Sequence, residues 1–162
     1  MGTGCAQLLI ANDSIIIKGT NLVKPTILLV DDDQAVLAFV AASLSRDGFG
    51  VSTAASAEEA LPCLAREEFD LVITDYRMTG ECGDVVVNAV RKRRRPTEVI
   101  IMTGLPNELP GWIRTGPRAV RVLDKPFTVF ELRDAVGAAL GVRENAAPVV
   151  AACAPAGAPL PA

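Results

Sequence analysis

The sequence predicts a single α/β domain, a parallel sheet wound with helices on both sides, from about Pro25 to Val142. Three observations predict it. Short apolar runs alternate with helical periodicities five times along the chain. The runs are continuous and rich in β-branched residues, as in strands buried on both faces of a parallel sheet. They also end in polar residues, so the fold delivers chemistry-bearing groups to the carboxyl edge, where open α/β sheets collect their ligands. The organising strand is Leu71-Val72-Ile73, which runs out into Thr74-Asp75-Tyr76-Arg77-Met78.

Taken in order, residues 1–24 hold two apolar bursts, Leu8-Leu9-Ile10 and Ile15-Ile16-Ile17, split by Asn12-Asp13-Ser14; a small hairpin fits, but a flexible extension is the expectation. Pro25 opens the strand Thr26 to Val30, which runs into Asp31-Asp32-Asp33. A helix follows with Leu37, Val40, Ala41 and Leu44 on one face; Asp33 caps it and Gly48 ends it. Val51 to Ala54 is a weaker strand. Ser56-x-x-Glu59 is a capping box for a second helix, with Ala57, Ala60, Leu61 and Leu64 inward and a kink expected at Pro62.

After the Asp75 strand, Gly80 and Gly83 mark a loop, and Asp84 is placed to cap a third helix with Val86, Ala89 and Val90 inward. Val99 to Met102 is a further strand, ending in Thr103-Gly104. Ala119 to Leu123 is the last, ending in Asp124-Lys125-Pro126-Phe127. Thr128-x-x-Glu131 is a second capping box, opening a helix with Leu132, Ala135, Val136 and Ala139 on one face. From residue 143 the chain turns to Ala and Pro and is expected to be disordered. No internal repeat suggests a solenoid or propeller.

Composition bounds the function. The 162 residues, 50% of them hydrophobic, suffice for one domain with a sizeable core. A formal net charge of −3 gives no general attraction to nucleic acid or anionic lipid. The run Arg91-Lys92-Arg93-Arg94-Arg95 reads as the solvated end of the third helix, where cations suit the macrodipole, so no nucleic-acid partner is expected. Four scattered cysteines and no histidine exclude a zinc site and histidine acid–base chemistry. No run approaches the roughly 18 apolar residues of a membrane span, no secretory signal is evident, and Ala6 stands where a myristoylation motif wants Ser or Thr. A cytoplasmic protein without a membrane partner is expected.

Asp31, Asp32, Asp75, Thr103 and Lys125 thus come to one carboxyl edge. Each has a plain reading alone: Asp33 is a cap, Asp31 or Asp32 a solvated loop acid, Thr103 unremarked, Lys125 a surface lysine. Together the acids repel one another, and a hard divalent cation offsets that repulsion; Mg²⁺, which keeps several waters and uses few carboxylates, fits. A carboxylate beside Mg²⁺, a lysine and a hydroxyl can accept a phosphoryl group as an acyl phosphate.

Ile27-Leu28-Leu29-Val30-Asp31-Asp32-Asp33, Thr74-Asp75-Tyr76-Arg77-Met78, Met102-Thr103-Gly104 and Lys125-Pro126-Phe127, in this order, resemble the receiver domain of two-component response regulators, over residues 25–142. The resemblance implies a flavodoxin-like, doubly wound five-stranded parallel sheet in the order 2-1-3-4-5. It implies Asp75 as phosphoacceptor and Asp32 as a direct Mg²⁺ ligand, with Asp31 acting through water or hydrogen bonding. The backbone carbonyl of Arg77 would be a further ligand. Thr103 and Lys125 would hold the phosphoryl group, and the peptide bond before Pro126 would be cis. The donor would be a sensor histidine kinase or a histidine phosphotransfer protein, and output would pass to another protein by binding, from a stand-alone receiver that is a monomer or a phosphorylation-linked dimer. By the same resemblance it would be no enzyme beyond catalysing its own Mg²⁺-dependent phosphorylation and dephosphorylation.

Two residues depart from the family pattern. Thr79 stands where the family usually has Pro. Val122 stands where it usually has the Tyr or Phe that swings inward on activation; this leaves the chemistry at Asp75 intact and removes the aromatic usually coupled to Thr103. Both departures favour a rival reading as a phosphorylation-independent pseudo-receiver. A flavodoxin-like nucleotide or flavin protein is a second rival, against which no Gly-rich phosphate loop follows the first strand. The segment 104–117, with Pro106, Pro110, Gly111, Gly116 and Pro117, is too rich in helix breakers for a helix of several turns; a short one over about Pro110 to Thr115 is expected, and ordering of this segment could replace the aromatic switch.

Overall fold

Apolar runs with no polar face can settle only between two layers: residues 27–30, 71–73 and 100–102 lie buried in the middle of the sheet, and the two less apolar runs form its edges. The computed structural model describes residues 8–11, 14–17, 24–115 and 120–141. The strands β3 (Thr26–Val30), β4 (Gly50–Ala54), β5 (Leu71–Asp75), β6 (Glu98–Thr103) and β7 (Arg121–Asp124) form one parallel sheet in the order β4-β3-β5-β6-β7. Counted from β3, this is the 2-1-3-4-5 order. Separately, β1 (Leu8–Ala11) and β2 (Ser14–Ile17) pair antiparallel, with Leu8 opposite Ile17. The two apolar bursts therefore form the paired strands that the sequence admits, not the unpaired extension expected. The Ala/Pro tail expected to be disordered lies outside the described residues.

Strand alternation sorts the core into two layers. Ile27, Leu29, Leu71, Ile73, Ile100, Met102 and Leu123 face α1 (Gln34–Arg46) and α5 (Val129–Leu140), which contribute Leu37, Val40, Leu44, Leu132 and Val136. Leu28, Val30 and Val72 face α2 (Ala57–Arg66) and α3 (Gly83–Arg91), which contribute Ala57, Ala60, Leu64, Val86 and Val90. Each fully buried Leu or Ile contributes about 1.5–3 kcal/mol relative to exposure. An Arg133–Asp47 pair, Nε to Oδ2 at 2.6 Å, ties α5 to the C-terminal end of α1.

The caps follow local chemistry with two corrections. Asp33 caps α1, accepting from the N–H of Ala35 and Val36, and Thr128 and Glu131 form a reciprocal capping box on α5. On α2, Ser56 accepts from Glu59 N–H, but the Glu59 carboxylate accepts from Ala55 N–H rather than closing the box on Ser56. Asp84 does not cap α3: the N-cap is Cys82, without a side-chain bond, and Asp84 lies in the first turn, where its charge still suits the macrodipole. Leu61 is exposed, because Ala57, Ala60 and Leu64 already fill the stripe facing the sheet. Pro62 lies inside α2 and is exposed.

The arginine run is engaged locally. Arg95 bridges Glu68 and Asp70, Arg93 donates to the Glu67 carbonyl, and Arg91 stacks over the Trp112 ring at 4.6 Å. Between β6 and β7 the breakers have the expected effect, leaving a 3₁₀ turn at Pro106–Glu108 and one helical turn, α4 (Gly111–Arg114). Ile113 anchors that turn, fully buried against Val87, Ile101 and Leu109, with Val122 packed alongside.

A helix of one turn cannot hold itself, so its docking should depend on Ile113. Ile113→Ala should cost about 2–5 kcal/mol in urea unfolding, with faster amide exchange over 105–115. A loss under about 1 kcal/mol would mean that the turn is not held by this contact.

Candidate functional site

The acidic triplet leaves β3 and divides into three environments. Asp31 is fully buried beside the sheet; its Oδ1 accepts the Asp33 N–H at 2.9 Å and its Oδ2 accepts from Lys125 Nζ at 2.7 Å. Asp32 is exposed, and its Oδ2 accepts both the Thr79 N–H at 2.8 Å and the Thr79 hydroxyl at 2.7 Å. Asp33 is used by α1. Those two Thr79 bonds, the backbone one foremost, hold the Asp32 carboxyl below the usual carboxylate range.

Asp75 is the last residue of β5, 7% exposed, with Oδ1 3.3 Å from Lys125 Nζ. Burial raises its pKa and the Asp31 charge adds to that, while Lys125 pulls the other way; the net shift is upward. Burial works against the Lys125 ammonium, but the hydrogen bond to Asp31 and the charges of Asp75 and Asp31 outweigh it, so its pKa is raised and it remains a cation. Asp31, Asp32 and Asp75 each offer an oxygen within 4.8 Å of the others. One ammonium against three carboxylates leaves excess negative charge in an all-oxygen donor set, which suits a hard divalent cation. Beside it lies an open hollow of about 540 Å³ lined by Asp32, Tyr76, Arg77, Met78, Thr79, Cys82 and Glu108.

The other expected groups stand around this cluster. Lys125 is delivered by the end of β7, where its N–H donates to the Thr103 carbonyl at 2.7 Å and its bond to Pro126 is cis. Thr103, 1% exposed at the end of β6, accepts the Leu105 N–H on its hydroxyl at 3.1 Å. Arg77 lines the hollow and its guanidinium pairs with Glu108 of the 3₁₀ turn. Asp31, Asp32, Asp75 and Lys125 thus meet at one sheet edge, with Thr103 at the end of the neighbouring strand and Arg77 lining the hollow beside them.

Sequence reasoning missed three neighbours. Thr79 entered only as a departure from a pattern, and nothing local signals a partner 47 positions away. Glu108 is one exposed acid among many. Gly83 reads as a loop glycine, yet it begins α3 and donates to the Tyr76 carbonyl at 2.9 Å. A Cβ there would lie 2.3 Å from the Asp75 carbonyl oxygen, so only glycine lets α3 start against the end of β5.

Comparison with known proteins places the domain among relatives of the same fold. Residues 27–137 match the family described as the response regulator receiver domain. Over 112 residues the chain is 38% identical to response regulator protein FleR of Pseudomonas aeruginosa, covering 68% of this chain and 23% of that protein. Over 122 residues it is 30% identical to the alkaline phosphatase synthesis transcriptional regulatory protein PhoP of Bacillus subtilis, covering 75% of this chain and 51% of that one. The chain matches about a quarter to a half of these relatives' length. Among solved structures, chemotaxis response regulator CheY4 of Vibrio cholerae superimposes with a TM-score of 0.65 at 28% identity, over 73% of this chain and all of that one. The signal receiver domain of an HD domain-containing protein from Pseudomonas fluorescens gives 0.66 at 30%, over 73% and 95%.

A carboxyl whose pKa is raised on folding favours the folded state below its ordinary pKa and opposes it as pH rises through the raised value. Asp75→Asn should therefore raise the melting temperature at pH 7 without added metal, by about 2–5 °C, and the gain should vanish as pH falls through the ordinary carboxylate range. A variant that melts lower at pH 7 would contradict the assigned cost of the buried charge.

Proposed function

The chain belongs to the response regulator receiver family, and from that premise we propose that it accepts a phosphoryl group on Asp75 from a sensor histidine kinase or a histidine phosphotransfer protein. The observation that carries this reading is the single ammonium of Lys125 shared by Asp31 at 2.7 Å and Asp75 at 3.3 Å, at an edge where three carboxylates converge. An Asp75 oxygen bonds to phosphorus as the phosphorus–nitrogen bond of the donor phosphohistidine breaks, and that bond's electron pair remains on the imidazole. Asp31, Asp32, Asp75 and the Arg77 backbone carbonyl would hold Mg²⁺, whose positive charge offsets that of the phosphoryl oxygens. Lys125 supplies the fixed cation, and Thr103 the hydroxyl donor. The protein is a signalling module whose only catalysis is on itself.

Output passes by binding to another protein rather than to nucleic acid or membrane, from a cytoplasmic receiver spanning 25–142, with 1–24 as an extension and 143–162 as a tail. Among the described residues, no helix is long and apolar enough to cross a membrane. The protein acts as a monomer or as a phosphorylation-linked dimer. Thr103 supplies a route from the site to the segment that begins at Leu105, one that needs no aromatic at position 122. Its hydroxyl accepts the Leu105 N–H; turning toward a phosphoryl group would release that N–H and shift the population of the loosely built segment behind it.

Incubation with a small-molecule phosphodonor and Mg²⁺ should add one phosphoryl group to the intact mass, and Asp75→Asn should abolish the gain. A wild-type chain that gains no mass would favour the phosphorylation-independent interaction module instead. Amide exchange over 104–115 should change when a stable phosphoryl mimic is bound; strong, equal protection with and without it would exclude the proposed route.

A further inference from the structure

We propose that Thr79 is a positioning residue for Asp32, one that presents a single carboxylate oxygen to the cation and so favours Mg²⁺ over Ca²⁺. The proposal rests on the reading of the acidic cluster as a divalent-cation site and deepens it. The three acids are held by different means. Asp31 is fixed by Lys125 and by the Asp33 N–H, and Asp75 by the sheet and Lys125. Asp32 sits on an exposed loop, and the hydrogen bonds that orient its side chain come from Thr79.

Both Thr79 bonds end on the same oxygen. With N–H at 2.8 Å and hydroxyl at 2.7 Å, the two lone pairs of Oδ2 are engaged, and Oδ1 is the oxygen left for a metal. Thr79 thus does not compete for the coordinating atom; it fixes the carboxylate plane as hydrogen-bond partners of metal-ligating carboxylates do. The same arrangement discourages chelation by both oxygens. Mg²⁺ demands near-ideal octahedral geometry and accepts one oxygen per carboxylate, whereas Ca²⁺ takes six to eight ligands and readily uses a carboxylate through both oxygens. A rigid one-oxygen presentation therefore serves the smaller ion. The bonds also join the loop after β3 to the loop after β5, so the two halves of the site are set before any ion arrives.

The test is calorimetric titration of the full chain with Mg²⁺ and with Ca²⁺, for the wild type and three variants. Thr79→Ser keeps both donors and should match the wild type. Thr79→Val keeps the N–H, loses the hydroxyl and preserves the shape; it should weaken Mg²⁺ by roughly 10-fold while leaving Ca²⁺ unchanged or tighter. Thr79→Pro removes both donors and should weaken Mg²⁺ further, with its melting curve showing whether it is folded. Unchanged Mg²⁺ affinity in Thr79→Val, or equal losses for both ions, would overturn the positioning role. A wild-type chain that binds neither ion would overturn the cation-site reading itself, and the proposal with it.

Discussion

The structure depends on one half-buried ammonium. Lys125 reaches from the end of β7 to carboxylates at the ends of β3 and β5, and Asp31 has no exposed surface through which water could take its place. Removing Lys125 from its pair with Asp31 would leave an uncompensated buried charge, which costs about 3–5 kcal/mol. The pair is therefore as much a condition of folding this edge as a feature of the site. It also leaves the cluster unfinished, since one positive charge cannot balance three negative ones. That residual negative charge makes the edge receptive to a cation.

Everything that surrounds the triad serves its placement. The strand order sets β3 and β5 side by side, so their acids share one edge, and puts β7 across β6, within reach of a long flexible side chain. Gly83 lets α3 begin hard against the last residue of β5, fixing Asp75 from behind. Thr103 and Lys125 are joined through the backbone, since the Lys125 N–H donates to the Thr103 carbonyl. The hydroxyl and the ammonium are thus set in register by adjacent strands. The segment from Leu105 to Thr115 is held more lightly, by Ile113, by the Arg91–Trp112 stack and by the Arg77–Glu108 pair. A tightly fixed site beside a lightly fixed segment is the combination a switch requires.

The sheet was legible in the sequence because buried parallel strands are written as unbroken apolar runs, and Ile27 to Val30 or Leu71 to Ile73 admit no other place. Caps that rely on residues three positions apart, at Asp33 and at Thr128 with Glu131, were legible for the same local reason. What escaped was set by tertiary contact. Close packing of Gly83 on β5 draws the cap of α3 two residues back, from Asp84 to Cys82. The rotational phase of α2 turns Leu61 outward, although its residue type argues for burial. Pairing of Thr79 with Asp32 spans 47 positions between exposed polar residues and has no local signature. The residues expected at the site were legible because strands of one sheet must end at one edge, whereas the residues supporting them were not.

The proposed function requires this edge to form an acyl phosphate at one carboxylate. The most direct measurement is borohydride reduction of the phosphorylated chain, which converts an acyl-phosphorylated aspartate to homoserine, followed by peptide mapping. Homoserine is expected at position 75 alone; homoserine at position 31 or 32, or none at any position in a chain that has gained phosphate, would overturn the assignment of Asp75.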